Sequence, residues 1–240
     1  MGGAIQISEE RGVRYLHFGS RWIQGAMRMA RPYALELEYT REMLLPLLLR
    51  PEGWPRSVLL IGLGAASLLR FLWRYRPRSR LVVVEVREDV VAATMQFFRL
   101  PDDPARIDIV LGDGADYVKQ AGEAFDLVLI DGYDARGRVG ALDTTAFYRA
   151  CHARMVRGGM LTTNLLTRHR GVDASVARLR EAFDGEAGAL PASPSGNVVV
   201  IAARGAALAL DAPSLAARAE ALRGTTGLKL TATLGRMAKG

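Results

Sequence analysis

The chain has 240 residues, half of them hydrophobic, with 32 Lys and Arg against 25 Asp and Glu and a formal charge of +7. That length suffices for one substantial α/β domain with small additions, and the single cysteine, Cys151, excludes an internal disulfide. His17, His152 and His169 are scattered without ligand spacing, so no metal site is expected.

In chain order, Ile5-Gln6-Ile7 and Arg14-Tyr15-Leu16-His17-Phe18 alternate around Glu9-Glu10-Arg11-Gly12. This predicts a hairpin within a small amino-terminal β region, residues 1–30. Met1-Gly2-Gly3-Ala4-Ile5 lacks the basic start and apolar run of a secretory leader, and Gln6 stands where acylation needs Ser or Thr. With no apolar stretch of about 18 residues, a cytoplasmic protein without a membrane span is expected. Residues 35–50 have helical apolar spacing and stop at the breaker cluster Pro51-Glu52-Gly53-Trp54-Pro55.

The central part of the chain carries the chemistry. Val58-Leu59-Leu60-Ile61 breaks into Gly62-Leu63-Gly64, a helix is predicted over 68–75, and Leu81-Val82-Val83-Val84 ends in Glu85. Glycines let the backbone turn sharply and approach a ligand, and an acid about 20 residues later can accept hydrogen bonds from two ribose hydroxyls. The third glycine of the dinucleotide fingerprint is absent, since Ala65-Ala66-Ser67 follows. After a helix over 90–98, Ile107-Asp108-Ile109-Val110-Leu111 leads into Gly112-Asp113-Gly114, and Phe125-Asp126-Leu127-Val128-Leu129-Ile130 ends in Asp131. Strand ends bearing Gly62 and Gly64, Glu85, Asp113 and Asp131 would line one crevice, because ligands of open α/β sheets bind outside those ends. Taken singly, each acid equally fits a helix cap or a turn.

The remaining elements are a helix over 145–156 stopped by Gly158-Gly159, a strand over 160–165, a helix over 172–183 and a final strand, Asn197–Ala203. Alternating strands and helices predict a mainly parallel sheet. Beyond Arg204 a helix through Arg223 is signalled from Asp211-Ala212-Pro213-Ser214, and 224–240 shows no strong pattern. The expected divisions are therefore 1–30, 31–204 and a partly helical extension, 205–240. Arg70, Arg74, Arg76, Arg78 and Arg80 read as a solvated face. With the bases dispersed and no aromatic-rich basic loop, nucleic acid is not the expected partner.

These motifs resemble the spermidine synthase group of polyamine aminopropyltransferases, which have the Rossmann-like fold of class I S-adenosylmethionine-dependent methyltransferases. The resemblance covers residues 10–204. Ile61-Gly62-Leu63-Gly64 resembles the family's glycine loop, Glu85 its ribose-binding acid, Gly112-Asp113-Gly114 its adenine-side turn, and Asp131-Gly132-Tyr133-Asp134 its catalytic loop. Trp22-Ile23-Gln24, Glu42-Met43 and Pro194-Ser195-Gly196 match flanking motifs. The resemblance implies an α/β seven-stranded-type sheet, a nucleoside held by Gly62, Gly64, Glu85, Asp113 and Gly114, and an amine acceptor near Gln24, Tyr133 and Asp134. It further implies Asp131 as the base, decarboxylated S-adenosylmethionine as co-substrate, and a homodimer. Ala65 replaces an aspartate that holds the cofactor's amine end, Ser193 replaces a tyrosine, and Thr40-Arg41 replaces Tyr-Gln, with Tyr39 one residue away. The loss at Ala65 leaves open intact S-adenosylmethionine and methyl transfer to a small molecule, and drift on the acceptor side leaves open a non-catalytic nucleoside-binding homologue. The Gly- and Arg-rich loop 131–143 suits either a gate over substrate or a plain surface loop.

Overall fold

Continuous apolar strands need cover on both faces, and the computed structural model supplies it. It describes residues 3–19, 22–132, 140–167 and 171–239. At the amino terminus β1 (Ile5–Glu10), β2 (Val13–Phe18) and β3 (Gly25–Arg28) form an antiparallel sheet. Helices α1 (Glu38–Glu42) and α2 (Pro46–Leu49) follow. The central elements are β4 (Ser57–Ile61), α3 (Ser67–Tyr75), β5 (Arg80–Glu85), α4 (Glu88–Phe97), β6 (Ile107–Leu111), α5 (Gly114–Lys119) and β7 (Phe125–Ile130). Then come α6 (Thr145–Ala153), β8 (Met155–Leu166), α7 (Val172–Ala182), β9 (Ala187–Ala189), β10 (Asn197–Ala203), α8 (Ala212–Thr226) and α9 (Thr231–Met237).

Among the described residues the main sheet has seven strands, in the order β6-β5-β4-β7-β8-β10-β9. From β6 to β8 neighbours are parallel, and β10 runs antiparallel to both β8 and β9. The chain starts at β4, winds outward to β6, then returns to β7 on the other side of β4. That reversal opens a crevice at the carboxyl ends of β4 and β7. Alternate residues of each strand serve opposite faces. Leu60, Val83 and Leu129 join the cluster that contains α3, the amino-terminal sheet and the carboxyl-terminal helices; Ile61, Val84 and Ile130 join the one beneath α5, α6 and α7. Cys151 is buried in the second cluster, where desolvation pushes its thiol pKa up. Among the described residues no helix is long and apolar enough to cross a membrane.

Several expectations change in detail. The helix over 35–50 is two short ones, because Pro46 cannot donate to the turn before it and instead begins α2. The helix from Thr145 stops at Ala153, and β8 starts at Met155, passing through Gly158 and Gly159 rather than beginning after them. The solvated-face reading fails at Arg70, which is fully buried. Its guanidinium donates to the carbonyls of Pro32 (2.9 Å), Phe98 (2.7 Å) and Ala65, so three loop carbonyls meet on one cation.

Candidate functional site

The glycine loop is shaped by contact across the switch point. Asp131 N donates to Ile61 O at 2.9 Å, and Gly62 has φ +96°, with a Cβ there falling 2.5 Å from Asp131 O. Only glycine fits so close a passage. Gly64 also has positive φ, +50°, and Ala66, at φ +52°, precedes α3 in the left-handed region. The two strand ends are thereby locked together, with the loop over one and Asp131 on the other.

A cleft of about 1050 Å³ opens there. Its walls include Gln24, Gly62, Gly64, Glu85, Asp113, Gly114 and Asp131, so these sequence-predicted residues are brought together. Tyr133 and Asp134 lie outside the described residues. Glu85 is largely buried, and its two oxygens accept from the backbone N–H of Leu63 (2.9 Å) and Arg87 (3.0 Å). Burial raises its pKa, and those backbone donors oppose the rise. A carboxylate has about four lone-pair sites, so acceptor capacity remains for hydroxyls in the cleft. Asp113 performs the structural task anticipated for such acids. Its Oδ1 caps α5, accepting from Ala115 N at 2.7 Å and Asp116 N at 3.2 Å.

Asp131 follows β7 and lines the cleft, half-buried. Its Oδ2 accepts from Tyr39 Oη at 3.0 Å and its Oδ1 from Asn164 Nδ2 at 3.1 Å. Behind Asn164 the donors line up: Asn197 Nδ2 donates to Asn164 Oδ1 at 2.9 Å, and Ser195 Oγ donates to Asn197 Oδ1 at 2.9 Å. The pairing of β8 with β10 brings these asparagines together. Burial pushes the Asp131 carboxyl above the ordinary aspartate range, and Asn164 and Tyr39 pull it back down. A smaller cavity of about 20 Å³, room for roughly one water, lies between Gln24, Tyr39, Ala65 and Asp131.

The sequence reading did not assign roles to Asn164 and Asn197, and it treated Tyr39 only as a neighbour of the motif. A signal was present in Thr162-Thr163-Asn164, a polar triplet inside an apolar strand whose three residues are all buried. The cleft is also electrostatically unlike the chain. Glu36, Glu38, Glu85, Asp113 and Asp131 line it, against Arg41 and Arg87 among the described lining residues, with Glu36 paired to Arg28 and Glu38 to Arg236. A chain of formal charge +7 thus presents an acid-rich cleft, which favours a cationic ligand. Among the described residues there is no group of three or more His, Cys, Asp or Glu that could hold a metal ion.

A parallel sheet reversed beside a glycine loop, with a buried acid ending the next strand, defines a methyltransferase-like Rossmann fold with its cleft at the switch point. Solved structures agree on the fold. A probable spermidine synthase from Corynebacterium glutamicum aligns with a TM-score of 0.74 at 18% identity, covering 98% of this chain and 93% of that one. Human methyltransferase-like protein 13, in complex with SAH, aligns with a TM-score of 0.69 at 22% identity over 80% of this chain and 93% of its own. At the level of sequence, the spermine/spermidine synthase domain matches residues 37–178. A polyamine aminopropyltransferase from Chromobacterium violaceum is 36% identical over 225 residues, 94% of this chain and 85% of that protein. The chain belongs to the spermine/spermidine synthase family.

Proposed function

We propose that the protein is a transferase moving an aminopropyl group from decarboxylated S-adenosylmethionine to a small amine. The observation that carries this reading is a half-buried carboxylate, Asp131, held by two donors at the end of an acid-rich cleft beside the glycine loop. Glu85 binds the ribose hydroxyls, Gly62 and Gly64 admit the nucleoside to the backbone, and the Asp113-Gly114 turn borders the base. Gln24, with Tyr133 and Asp134 by their place in the sequence, belongs to the acceptor side.

Asp131 takes the proton from the attacking ammonium, freeing its lone pair. The nitrogen then attacks the propyl carbon in line with the sulfonium; the C–N bond forms as the C–S bond breaks, and the electron pair returns to sulfur as a neutral thioether. Tyr39 and Asn164 hold the carboxylate in one orientation, so it need not reorganise during proton transfer. Positive charge is present on both reactants, which the acid-rich cleft accommodates.

Purified protein incubated with decarboxylated S-adenosylmethionine and a panel of di- and polyamines should yield an aminopropylated amine and the thioether nucleoside by mass spectrometry. Methylated product from intact S-adenosylmethionine, with no aminopropyl product from any amine, would overturn the proposal. Calorimetry should show tighter binding of the decarboxylated form.

A further inference from the structure

The helices after β10 lie outside the matched family region, yet one side chain ties them to the site. Arg236 on α9 donates from Nη1 to Glu38 Oε1 at 2.8 Å and from Nη2 to Glu42 Oε1. Thr233 Oγ1 donates to the same Glu42 oxygen at 3.2 Å. Glu42 is fully buried, so its carboxyl depends on this cluster for partners. Glu38 and Glu42 stand four residues apart, which lets a single guanidinium grip one face of α1 at both ends. Tyr39, one residue further round, sends its hydroxyl to Asp131.

Helix α1 has five residues and no side-chain cap at Leu37. So short a helix does not hold itself, and its placement comes from tertiary contacts. Its carboxyl end is pinned to β8 by Thr162 Oγ1, which donates to Met43 O at 3.1 Å. That bond ties the end of the helix to the main sheet. The two-point grip of Arg236 fixes its rotation about its own axis, which is the coordinate that aims Tyr39.

We propose that Arg236 is a positioning residue, clamping α1 so that the Tyr39 hydroxyl meets the Asp131 carboxylate. The carboxyl-terminal extension thereby takes part in the reaction proposed above, on which this inference rests. The Asp131 carboxylate is faced by Tyr39 from α1 and Asn164 from β8 among the described residues, so loss of the clamp changes one of its two donors.

The test uses the full chain labelled with 3-fluorotyrosine, the Tyr39 resonance being assigned by its loss in Tyr39→Phe. Arg236→Met should shift or broaden that resonance and lower kcat about tenfold or more, with KM for the nucleoside within about twofold. Because this change strands the Glu42 carboxyl without its cation, a second variant combines Arg236→Met with Glu42→Gln. The double variant should recover thermal stability while kcat stays low and the resonance stays displaced. An unshifted resonance with wild-type kcat in the double variant would overturn the clamp. A wild-type protein that transfers no aminopropyl group would sink the proposed reaction alone, since the fluorine signal reports the Tyr39 contact without turnover.

Discussion

At the scale of the residue, Asp131 joins stability to function with opposite signs. Its carboxyl holds a proton to higher pH in the native chain than in the unfolded one, because burial raises its pKa against the donors Asn164 and Tyr39. Its contribution to stability is therefore full below the unfolded aspartate value and is lost as pH rises through the native one. The proposed base must be ionised to act, so kcat/KM should rise with pH along a limb above the ordinary aspartate range. Asp131→Asn should lower kcat by about 10²–10⁴-fold while nucleoside binding persists, and should raise the melting temperature at neutral pH. An Asn at this position accepts from one neighbour and donates to the Tyr39 oxygen, so the site stays paired. Retention of full turnover would remove Asp131 from the mechanism. Tyr39→Phe removes a donor to the charged form, which raises the Asp131 pKa further, and the acid limb of the same profile should move to higher pH.

At the scale of the element, the hairpin between β1 and β2 offers a clean energetic test. Glu10 pairs with Val13 across a two-residue turn, and both turn residues have positive φ, Arg11 at +49° and Gly12 at +74°. This is the turn that favours Asn-Gly, whereas Arg at the first position carries left-handed strain. Arg11→Asn should therefore stabilise the protein by about 0.5–1 kcal/mol, read from thermal or urea unfolding. Arg70→Met should do the reverse, costing at least about 3 kcal/mol, because it orphans the carbonyls of Pro32, Ala65 and Phe98 together. The guanidinium stays protonated at neutral pH even though burial lowers its pKa to about 9. The hairpin was legible from alternation, and the inner strands from their apolar runs, which parallel strands covered on both faces require. Arg70 was not, because arginines on a helix alternate with apolar residues whether their heads meet water or carbonyls. Of the candidate site, the gathering of the glycine loop, Glu85 and Asp131 around one cleft was legible because each ends a strand. Asn164 and Asn197 were not, because their meeting depends on the register between β8 and β10, which neither segment encodes alone.

At the scale of the whole molecule, the extension after Arg204 showed little pattern because α8 is rich in alanine and its apolar residues form no broad stripe. In the fold it is core. Leu215, Leu228, Leu230 and Leu234 are buried in the cluster that also holds Leu47, Leu48 and Leu72. Four buried leucines contribute roughly 1.5–3 kcal/mol each, and a domain's net stability is only about 5–15 kcal/mol. Removing the segment also removes the entropy cost of ordering it, so the decisive loss is the apolar surface left bare on α2 and beneath it. A chain ending at residue 204 should therefore lose its cooperative thermal transition, or melt well below the full chain, and bind apolar dyes. It should also lose turnover more completely than Arg236→Met, since both the clamp and the packing of α8 against α2 are gone. A sharp transition at the full-chain temperature would instead make the extension an appendage to a self-sufficient catalytic domain. The clamp would then act on a fold that stands without it, and Arg236→Met combined with Glu42→Gln would be expected to change rate without changing stability.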